Sequence, residues 1–279
     1  MNKCKIFEKI KIKNTEFSNR IVVSPMCQYS AINGLMNKWH LQHLSQFSFS
    51  GAGLVMIEST AVEEIGRITH NCTGIYNNDC LSSIKNTIES VKEFSLNNVK
   101  FGIQLGHAGR KASTQRPWEG RSFLRDNQTP WKTIAPSSIA FDKGWPIPKE
   151  MDQDDFQRVK NAFIHAVKKS IDAGFDLIEI HAAHGYLFHQ FISPISNQRK
   201  DKYGGNLSNR MRFPLEVFEE VVKVSNNLPI GMRITGTEWE ENGIEIKDAL
   251  VFSNELKNLG CDYVCVSSGG NTPNPKIPV

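Results

Sequence analysis

The stretch AGFDLIEIHAAHGY, residues 173–186, decides the fold class of this chain. Gly174 closes a helical pattern, and an apolar run of strand length follows it. Polar residues gather where that run ends. The same order of helix end, apolar strand and polar tail recurs along the sequence. Continuous apolar runs of this length are typical of strands in parallel sheets, which are buried on both faces. Their alternation with helices predicts an α/β fold.

Six runs fit the description of a buried strand. They are residues 20–24, 53–58, 100–105, 176–181, 230–235 and 262–267. Two helices are marked by their ends as well as by their apolar spacing. One begins after a predicted N-cap at Asp152 and ends at Gly174, and the other repeats apolar residues from Ala249 to Leu259 and ends at Gly260.

The ends of the strands distinguish between two α/β architectures. A doubly wound dinucleotide fold carries GxGxxG after its first strand, but the first strand here ends in Ser24-Pro25-Met26-Cys27, and the sequence contains no such pattern. Polar or reactive residues follow the strands instead, namely Cys27, Ser59, Gln104, His181, Arg233 and Ser267. A barrel with its catalytic face at the carboxyl ends produces this distribution. The sequence therefore predicts a (β/α)8 TIM barrel.

Composition and charge argue against several function classes. The formal net charge is +4, from 33 Lys and Arg against 29 Asp and Glu, so we expect no nucleic-acid partner. Neither a run of 18 apolar residues nor a secretory signal occurs, so we expect no membrane partner. The six cysteines are irregularly spaced, which indicates reduced thiols and a cytoplasmic location rather than a disulfide framework.

One long segment interrupts the alternation of strands and helices within the single domain predicted for residues 1–279. Residues 111–151 hold three of the five tryptophans, Trp118, Trp131 and Trp145, among many Pro, Ser and Gly. A loop-rich excursion of this length over the active face suggests a substrate cap. A plain surface insertion is the alternative.

The sequence His181-Ala-Ala-His184-Gly-Tyr186 holds the strongest local signal for chemistry. Two imidazoles three residues apart on one helical turn point the same way, and each donates an N–H when neutral. The pair can therefore hold one substrate oxygen, with Tyr186 nearby as a proton donor. Two structural histidines are one alternative. A metal pair is another, but it lacks further ligands at suitable spacing, so we expect no metal.

Four stretches carry a family resemblance: SPMCQYS (24–30), IQLGHAGRKA (103–112), IEIHAAHGYLFHQFISPISNQRKDKYGG (178–205) and CVSSGGNTPNPKIPV (265–279). Together they resemble the bacterial Old Yellow Enzyme family, in particular its NADPH dehydrogenases and xenobiotic-reductase-like ene reductases. The resemblance implies an FMN cofactor with NADPH or NADH as reductant. The implied reaction is ping-pong hydride transfer that reduces the activated C=C bond of an enone or nitro compound.

The resemblance also implies a role for each matching residue. Ser24, Pro25, Met26 and Cys27 follow the flavin edge, Ser59 adds a main-chain contact, Gln104 binds the polar rim and Arg233 lies at the N1/O2 side. Tyr29 lines the substrate pocket. His181 and His184 hold the substrate oxygen, and Tyr186 protonates the α-carbon. His107 and Lys111 line the pocket or support it.

The sequence stops after the sixth predicted strand, so we expect about six of eight βα units. Barrels of this kind bind phosphate with the loops after strands seven and eight, and family members place a C-terminal arginine or tryptophan near a neighbouring subunit's pocket. Two hypotheses follow. The chain is an ene reductase that is homo-oligomeric in its full-length form, or it is a truncated, non-catalytic remnant that no longer holds FMN tightly.

Overall fold

The structure is a computed structural model that describes residues 4–96 and 98–277. Pro278 and Val279, which close the last stretch of family resemblance, lie outside the described residues. The chain opens with a hairpin of two short antiparallel strands, β1 (Ile10–Ile12) and β2 (Thr15–Phe17). The further strands are β3 (Val22–Val23), β4 (Leu54–Ala61), β5 (Lys100–Gly106), β6 (Ile134–Ala135), β7 (Lys149–Glu150), β8 (Leu177–Ala182), β9 (Ile230–Thr235) and β10 (Tyr263–Ser267). The α-helices are α1 (Lys38–Ser48), α2 (Asn78–Phe94), α3 (Gln153–Asp172), α4 (Leu187–Ile192), α5 (Leu207–Val224) and α6 (Ile246–Asn258).

Six strands form one parallel sheet in the order β10-β9-β8-β5-β4-β3. All six predicted strands are present, so the predicted α/β class is confirmed. The first is shorter than expected, because Pro25 follows Ser24 directly and a proline has no backbone N–H to donate to a ladder. The second runs on to Ala61, three residues beyond its predicted end. The pair β6 and β7 stands apart as a two-stranded ladder.

Helix α3 shows how local chemistry sets the ends of an element. The carboxylate of Asp152 accepts the backbone N–H of Asp155 at 3.0 Å, and Asp155 bonds back to complete a capping box. This arrangement satisfies amide groups that the first turn of a helix leaves without partners. Past the helix end, Gly174 has φ +78°, a left-handed conformation that glycine adopts without strain. Both predicted ends of this helix are confirmed.

Two apolar layers hold the sheet in place. On its outer face, five phenylalanines of α3, α4 and α5 pack ring against ring: Phe156, Phe163, Phe188, Phe191 and Phe213. Burying a phenylalanine side chain contributes about 1.5–3 kcal/mol. On the opposite face, Phe17 of the hairpin packs with Leu54, Met56 and Leu177 at the amino ends of the strands. The carboxyl ends are thereby left as the side on which the loops converge.

Candidate active site

The sheet brings four of the predicted residues together at the carboxyl ends of its strands. His181 in β8 pairs in register with Arg233 in β9, and Ser59 in β4 pairs with Gln104 in β5. Gln104 also pairs with Glu179, which lies two residues before His181. Because the strands are parallel, their carboxyl ends share one side, as in the active face of a barrel. Ser59, Gln104 and Glu179 therefore lie in one row across the sheet, and His181 and Arg233 lie in a second row nearer the carboxyl ends.

The loop after β3 carries the next group of predicted residues, from Ser24 to Tyr29. Tyr29 has φ +48°, which is uncommon for a non-glycine residue, and its ring meets Trp118 edge to face with centroids 6.0 Å apart. Cys27 keeps part of its surface open. The protein packed around its thiol nevertheless raises the pKa of Cys27 well above the ordinary value, and the carboxylate of Glu58 raises it further. Cys27 is therefore a neutral thiol.

The histidine pair differs from the sequence expectation in its backbone. His181 lies in β8, and His184 lies in the following turn with φ +57°, so the two do not share a helical turn as we expected. The reason is that the strand continues to Ala182, and the chain reverses at Gly185, with φ +73°. The rings nevertheless meet, with centroids 5.0 Å apart and planes at 81°.

The hydrogen bonds of the pair determine which nitrogen carries each proton. The backbone N–H of Ala183 donates to Nδ1 of His181 at 3.2 Å, so the proton of this neutral ring is on Nε2. That Nε2 lies 3.2 Å from Nδ1 of His184 and donates to it. His184 consequently carries its proton on Nε2, which lies 2.6 Å from the hydroxyl oxygen of Ser267. The donor at the end of this chain is the N–H of His184.

Both imidazoles are held in the neutral form. Burial, as the largest cause, lowers the pKa of His181 well below its ordinary value, and the nearby His184 adds to the effect. Burial also lowers the pKa of His184 to about 4, with Arg233 and Lys111 contributing as neighbouring positive charges. At neutral pH the pair can thus donate hydrogen bonds without bearing charge.

Tyr186 lies against this pair at the start of α4. Its ring centroid is 4.9 Å from that of His181, with the planes at 86°, and burial raises the pKa of its hydroxyl well above the ordinary value. The ammonium of Lys111 lies 5.1 Å from the centroid of the Tyr186 ring. The same ammonium donates to the carbonyl oxygens of His184 at 2.8 Å and Gly270 at 2.7 Å. Lys111 therefore joins the turn after β8 to the loop after β10.

Gln104 is engaged with the protein in a way that the sequence did not predict. Its amide nitrogen donates to Glu179 at 2.8 Å, and the hydroxyl of Tyr263 donates to the other carboxylate oxygen at 3.2 Å. Burial raises the pKa of Glu179. With its nitrogen occupied, the side-chain oxygen of Gln104 is the atom with which it can accept a bond from a flavin N–H.

One feature at the carboxyl ends of the strands fits a flavin ring directly. The buried Nε of Arg233 has no hydrogen-bond partner within the described part of the chain, and a buried donor of this kind requires one. A cation with a free donor suits the N1/O2 side of a flavin, where reduction builds up negative charge. The residues present therefore fit the cofactor.

A cavity of about 730 Å³ is lined in part by Lys111, which donates to the carbonyl oxygen of His184. Residues of several separate segments line it, among them Tyr29, Lys111, Phe141, Trp145, Gly270 and Thr272. A volume of this size is typical of a small-molecule pocket. No group of three or more potential metal ligands occurs within residues 4–96 and 98–277. Among the same residues, no helix combines the length and apolarity needed to cross a bilayer.

Comparisons with known proteins agree with this fold. The model of the NADH:flavin oxidoreductase / NADH oxidase family matches residues 5–271. An NADH:flavin oxidoreductase of Gibberella zeae is 40% identical over 99% of this chain and 70% of its own length. An NADPH dehydrogenase of Bacillus subtilis is 39% identical over 95% of this chain and 73% of its own length. The crystal structure of an Old Yellow Enzyme from a Pichia species, 24% identical, superimposes with a TM-score of 0.80 over 95% of this chain and 71% of that one.

The fold is thus that of the flavin-binding TIM barrels, with six parallel strands in the described residues. The chain belongs to the NADH:flavin oxidoreductase / NADH oxidase family, the Old Yellow Enzyme family predicted from its motifs. It is an oxidoreductase whose cofactor is FMN and whose reductant is NADPH or NADH.

Sequence reasoning missed three buried carboxylates of this region, Glu58, Glu179 and Glu238. A signal was present for two of them, because Glu58 and Glu179 interrupt apolar strand runs. A buried charge is costly unless it is paired, so an acidic residue at such a position predicts a partner. Glu238 lies beyond the end of β9 in a polar segment, where sequence alone offers no such contrast.

Proposed function

We propose that this oxidoreductase reduces the activated C=C bond of α,β-unsaturated carbonyl or nitro compounds. The observation that carries the proposal is the neutral pair of His181 and His184, with the hydroxyl-bearing ring of Tyr186 4.9 Å from His181. Reduction of such a bond requires hydrogen-bond donors at the substrate oxygen and a proton donor at the α-carbon. The end of β8 and the turn that follows it provide both the hydrogen-bond donors and the proton donor.

The cofactor contacts follow from the donors and acceptors at the strand ends. The redox chemistry that FMN supplies when bound is the transfer of two electrons from NADPH or NADH to the substrate. Arg233 would hold the ring through its free Nε, and Gln104 through its side-chain oxygen. The backbone from Ser24 through Pro25 and Met26 to Cys27 would follow the ring edge, and Ser59 would add a main-chain contact.

The histidines bind the substrate oxygen through the chain of bonds described above. The N–H of His184 donates outward to Ser267 at 2.6 Å, so a substrate oxygen at that position receives this bond first. His181 can donate to the substrate oxygen only after its N–H has broken its hydrogen bond to Nδ1 of His184. Loss of one donor to a developing oxyanion typically reduces the rate about 10²–10³-fold.

Tyr186 supplies the proton to the α-carbon. Its high pKa keeps the hydroxyl protonated at neutral pH, and a well-placed general acid contributes about 10²–10⁴ in rate. The ammonium of Lys111, 5.1 Å from the ring centroid, stabilises the negative charge that develops on the tyrosine oxygen. Burial together with the charge of Arg110 lowers the pKa of Lys111 to about 7, so this assistance weakens as the pH rises above neutrality.

Residues 111–151 form the substrate cap in this proposal. Phe141 and Trp145 line the cavity together with Tyr29, and the ring centroid of Phe141 also lies 4.9 Å from the ammonium of Lys111. The aromatic wall suits a planar conjugated substrate. We further propose that the enzyme acts in the cytoplasm, since all six cysteines are free thiols. That it does so as a homo-oligomer is proposed from the family resemblance alone.

Phenol binding tests the proposed site directly. In the FMN-loaded chain, a para-substituted phenolate should bind over the oxidised flavin and produce a long-wavelength charge-transfer band. Replacing His181 and His184 together by Ala should abolish the band while the flavin absorbance is retained. His165→Ala, at an exposed position on α3, is the matched control. An unchanged phenol titration in the double variant would contradict the assignment of the pair.

A second candidate is a non-catalytic chain that does not retain FMN. The observation behind it is the exposed face beside β10, where Val266 is 66% exposed and Leu250 of α6 is 61% exposed. Apolar exposure on this face favours association between chains. The FMN-to-protein ratio of the freshly purified chain distinguishes the two, because near-stoichiometric flavin contradicts the remnant and flavin-free protein supports it.

A further inference from the structure

Glu58 is a buried carboxylate close to the site that the proposed reaction does not use. Its side chain is 4% exposed, and it lies at an irregularity of the sheet. Ile57 of β4 pairs with Ile103 and Ser59 pairs with Gln104, so Glu58 is left without a partner residue in β5. A bulge of this kind redirects a side chain, and bulges are frequent beside active sites.

The carboxylate of Glu58 receives hydrogen bonds from three directions. One oxygen accepts the backbone N–H of Gln28 at 2.9 Å. The other accepts the hydroxyl of Thr73 at 2.9 Å and lies 3.1 Å from Nε2 of His40. Nδ1 of His40 already accepts the backbone N–H of Asn37 at 3.1 Å, so its Nε2 carries the proton and donates. All three partners are donors, as an ionised carboxylate requires.

The bond to Gln28 holds the backbone between two residues of the proposed site. Gln28 lies between Cys27, at the flavin edge, and Tyr29, in the substrate pocket. Tyr29 has a left-handed backbone, with φ +48°, and such conformations persist where the surroundings enforce them. The loop has further anchors on the far side of Tyr29, including the bond from the Asn37 side chain to the carbonyl oxygen of Ser30 at 2.7 Å.

We propose that Glu58, held in place by His40 and Thr73, is the positioning residue that sets the shape of the loop at residues 24–30 through its bond to the N–H of Gln28. The inference rests on the proposed function, because Cys27 and Tyr29 are site residues only in that proposal. Glu58 itself touches neither cofactor nor substrate. It acts through the Gln28 peptide and through its charge.

The charge of Glu58 acts together with the other groups around Cys27. Four groups act on the Cys27 thiol: the Tyr29 hydroxyl, the Ser59 N–H, the Cys72 thiol and the Glu58 carboxylate. Two histidines of α1, His40 and His43, face Glu58 in turn. Burial is the largest cause of the raised pKa of Cys27, and Glu58 is the next. A negative charge fixed beside a thiol disfavours thiolate. Cys27 therefore stays neutral beside the flavin edge.

Two substitutions of Glu58 separate the effect of its charge from the effect of its hydrogen bond to the loop. Glu58→Gln removes the charge, and its amide oxygen still reaches the N–H of Gln28. Glu58→Asp retains the charge, but its shorter side chain no longer reaches that N–H. Glu63→Gln is the matched control, because Glu63 is also buried and lies next to His107 and Arg158 instead of the loop.

The first measurement is the pH profile of Cys27 alkylation by iodoacetamide, followed by peptide mass spectrometry with the exposed Cys4 as internal reference. Glu58→Gln should move the profile to lower pH, with about tenfold faster alkylation for each unit of pKa lost. Glu58→Asp and Glu63→Gln should keep the original profile. A profile in Glu58→Gln identical to that of Glu63→Gln would overturn the role of the charge.

The second measurement is hydrogen–deuterium exchange of the peptides that cover residues 24–30. Glu58→Asp should accelerate exchange of the Gln28 amide tenfold or more, while peptides of β5 and α3 keep their protection. Unchanged protection in this variant would overturn the positioning role. Neither measurement requires FMN. If added FMN fails to protect Cys27 from alkylation in the original chain, the proposed flavin site is wrong while the two results on Glu58 stand.

Discussion

In the proposed reaction, Tyr186 and the histidine pair are neighbours with different chemical tasks, and this difference can be measured. The histidines donate hydrogen bonds as neutral rings, since burial lowers both of their pKa values. Tyr186 keeps its proton, since burial raises the pKa of its hydroxyl. The same low-polarity surroundings thus act in opposite directions on a base and an acid, and both groups end up uncharged.

Tyr186→Phe should slow only one half of the reaction. Without the hydroxyl, the α-carbon loses its acid, so reduction of 2-cyclohexenone by the reduced enzyme should fall about 10²–10⁴-fold. Bleaching of the flavin by NADPH should continue at close to the original rate. Stopped-flow absorbance under anaerobic conditions follows each half separately. If both halves slow equally, Tyr186 has a structural role and the proton comes from elsewhere.

His184 should make stability depend on pH in the acidic range. Its pKa is about 4 in the folded chain and about 6.5 when unfolded, so the unfolded state binds the extra proton between these values. The free energy of unfolding therefore falls as the pH drops from 6.5 to 4. The contribution is on the order of 3 kcal/mol at most.

Urea unfolding of the original chain and of His184→Gln, at several pH values between 7 and 4.5, measures this contribution. The difference in unfolding free energy between the two should shrink as the pH falls, because glutamine does not titrate. The exposed substitution His165→Gln should leave the pH dependence unchanged. A constant difference across the range would mean that His184 keeps an ordinary pKa in the folded chain.

At the level of elements, the loop after β10 is fastened to the end of α4, to the segment after β9 and to the loop after β5. Asn271 is 1% exposed, and its amide nitrogen donates to Glu238 at 2.8 Å and to Ser193 at 2.9 Å. Its carbonyl and side-chain oxygens both accept from Arg110. A loop in this position forms one wall of the cavity, so these bonds help to define the pocket.

Asn271→Ala should destabilise the chain by about 1–3 kcal/mol, because buried partners are left without hydrogen bonds. Thr272→Ala is the matched control on the next residue, where a single bond to Glu240 lies nearer the surface, and its effect should be well below 1 kcal/mol. Chemical unfolding monitored by circular dichroism provides both values. Equal effects of the two substitutions would contradict the role assigned to the buried network.

At the level of the whole molecule, the two edges of the sheet differ. Strand β10 at one edge has five residues and β3 at the other has two, and Val266 and Val22 are both at least half exposed. Long, apolar edges promote pairing between chains, whereas a charge on the edge prevents it. We therefore expect association through β10, and Val266→Lys should reduce it.

Size-exclusion chromatography with light scattering, over a range of concentrations, tests this expectation. The original chain should form oligomers whose mass grows with concentration, and Val266→Lys should shift the distribution toward monomer. Val22→Lys, on the short opposite edge, should have little effect. A monomeric original chain, or equal effects of the two lysines, would show that the β10 edge does not drive association.

Much of the fold follows from local patterns. The six strands lie where the apolar runs are, and α3 begins and ends at its predicted cap and glycine, because these signals act between residues close in sequence. The turn at His184 was misjudged for the opposite reason. The spacing of three residues suggested a helix, but pairing of His181 with Arg233 keeps β8 extended, and a contact between strands is not visible in a local pattern.

By itself, the sequence determined the order of strands and helices, the family and the set of side chains available at the carboxyl edge. Those depend on residue types and their spacing, which are local. Only the tertiary structure decided which nitrogens of the histidines carry protons, how Gln104 is turned toward Glu179, and that Glu58 lies beneath the loop of Cys27. These outcomes depend on hydrogen bonds between segments distant in sequence, and on burial that lowers or raises a pKa only once the chain has folded around the group.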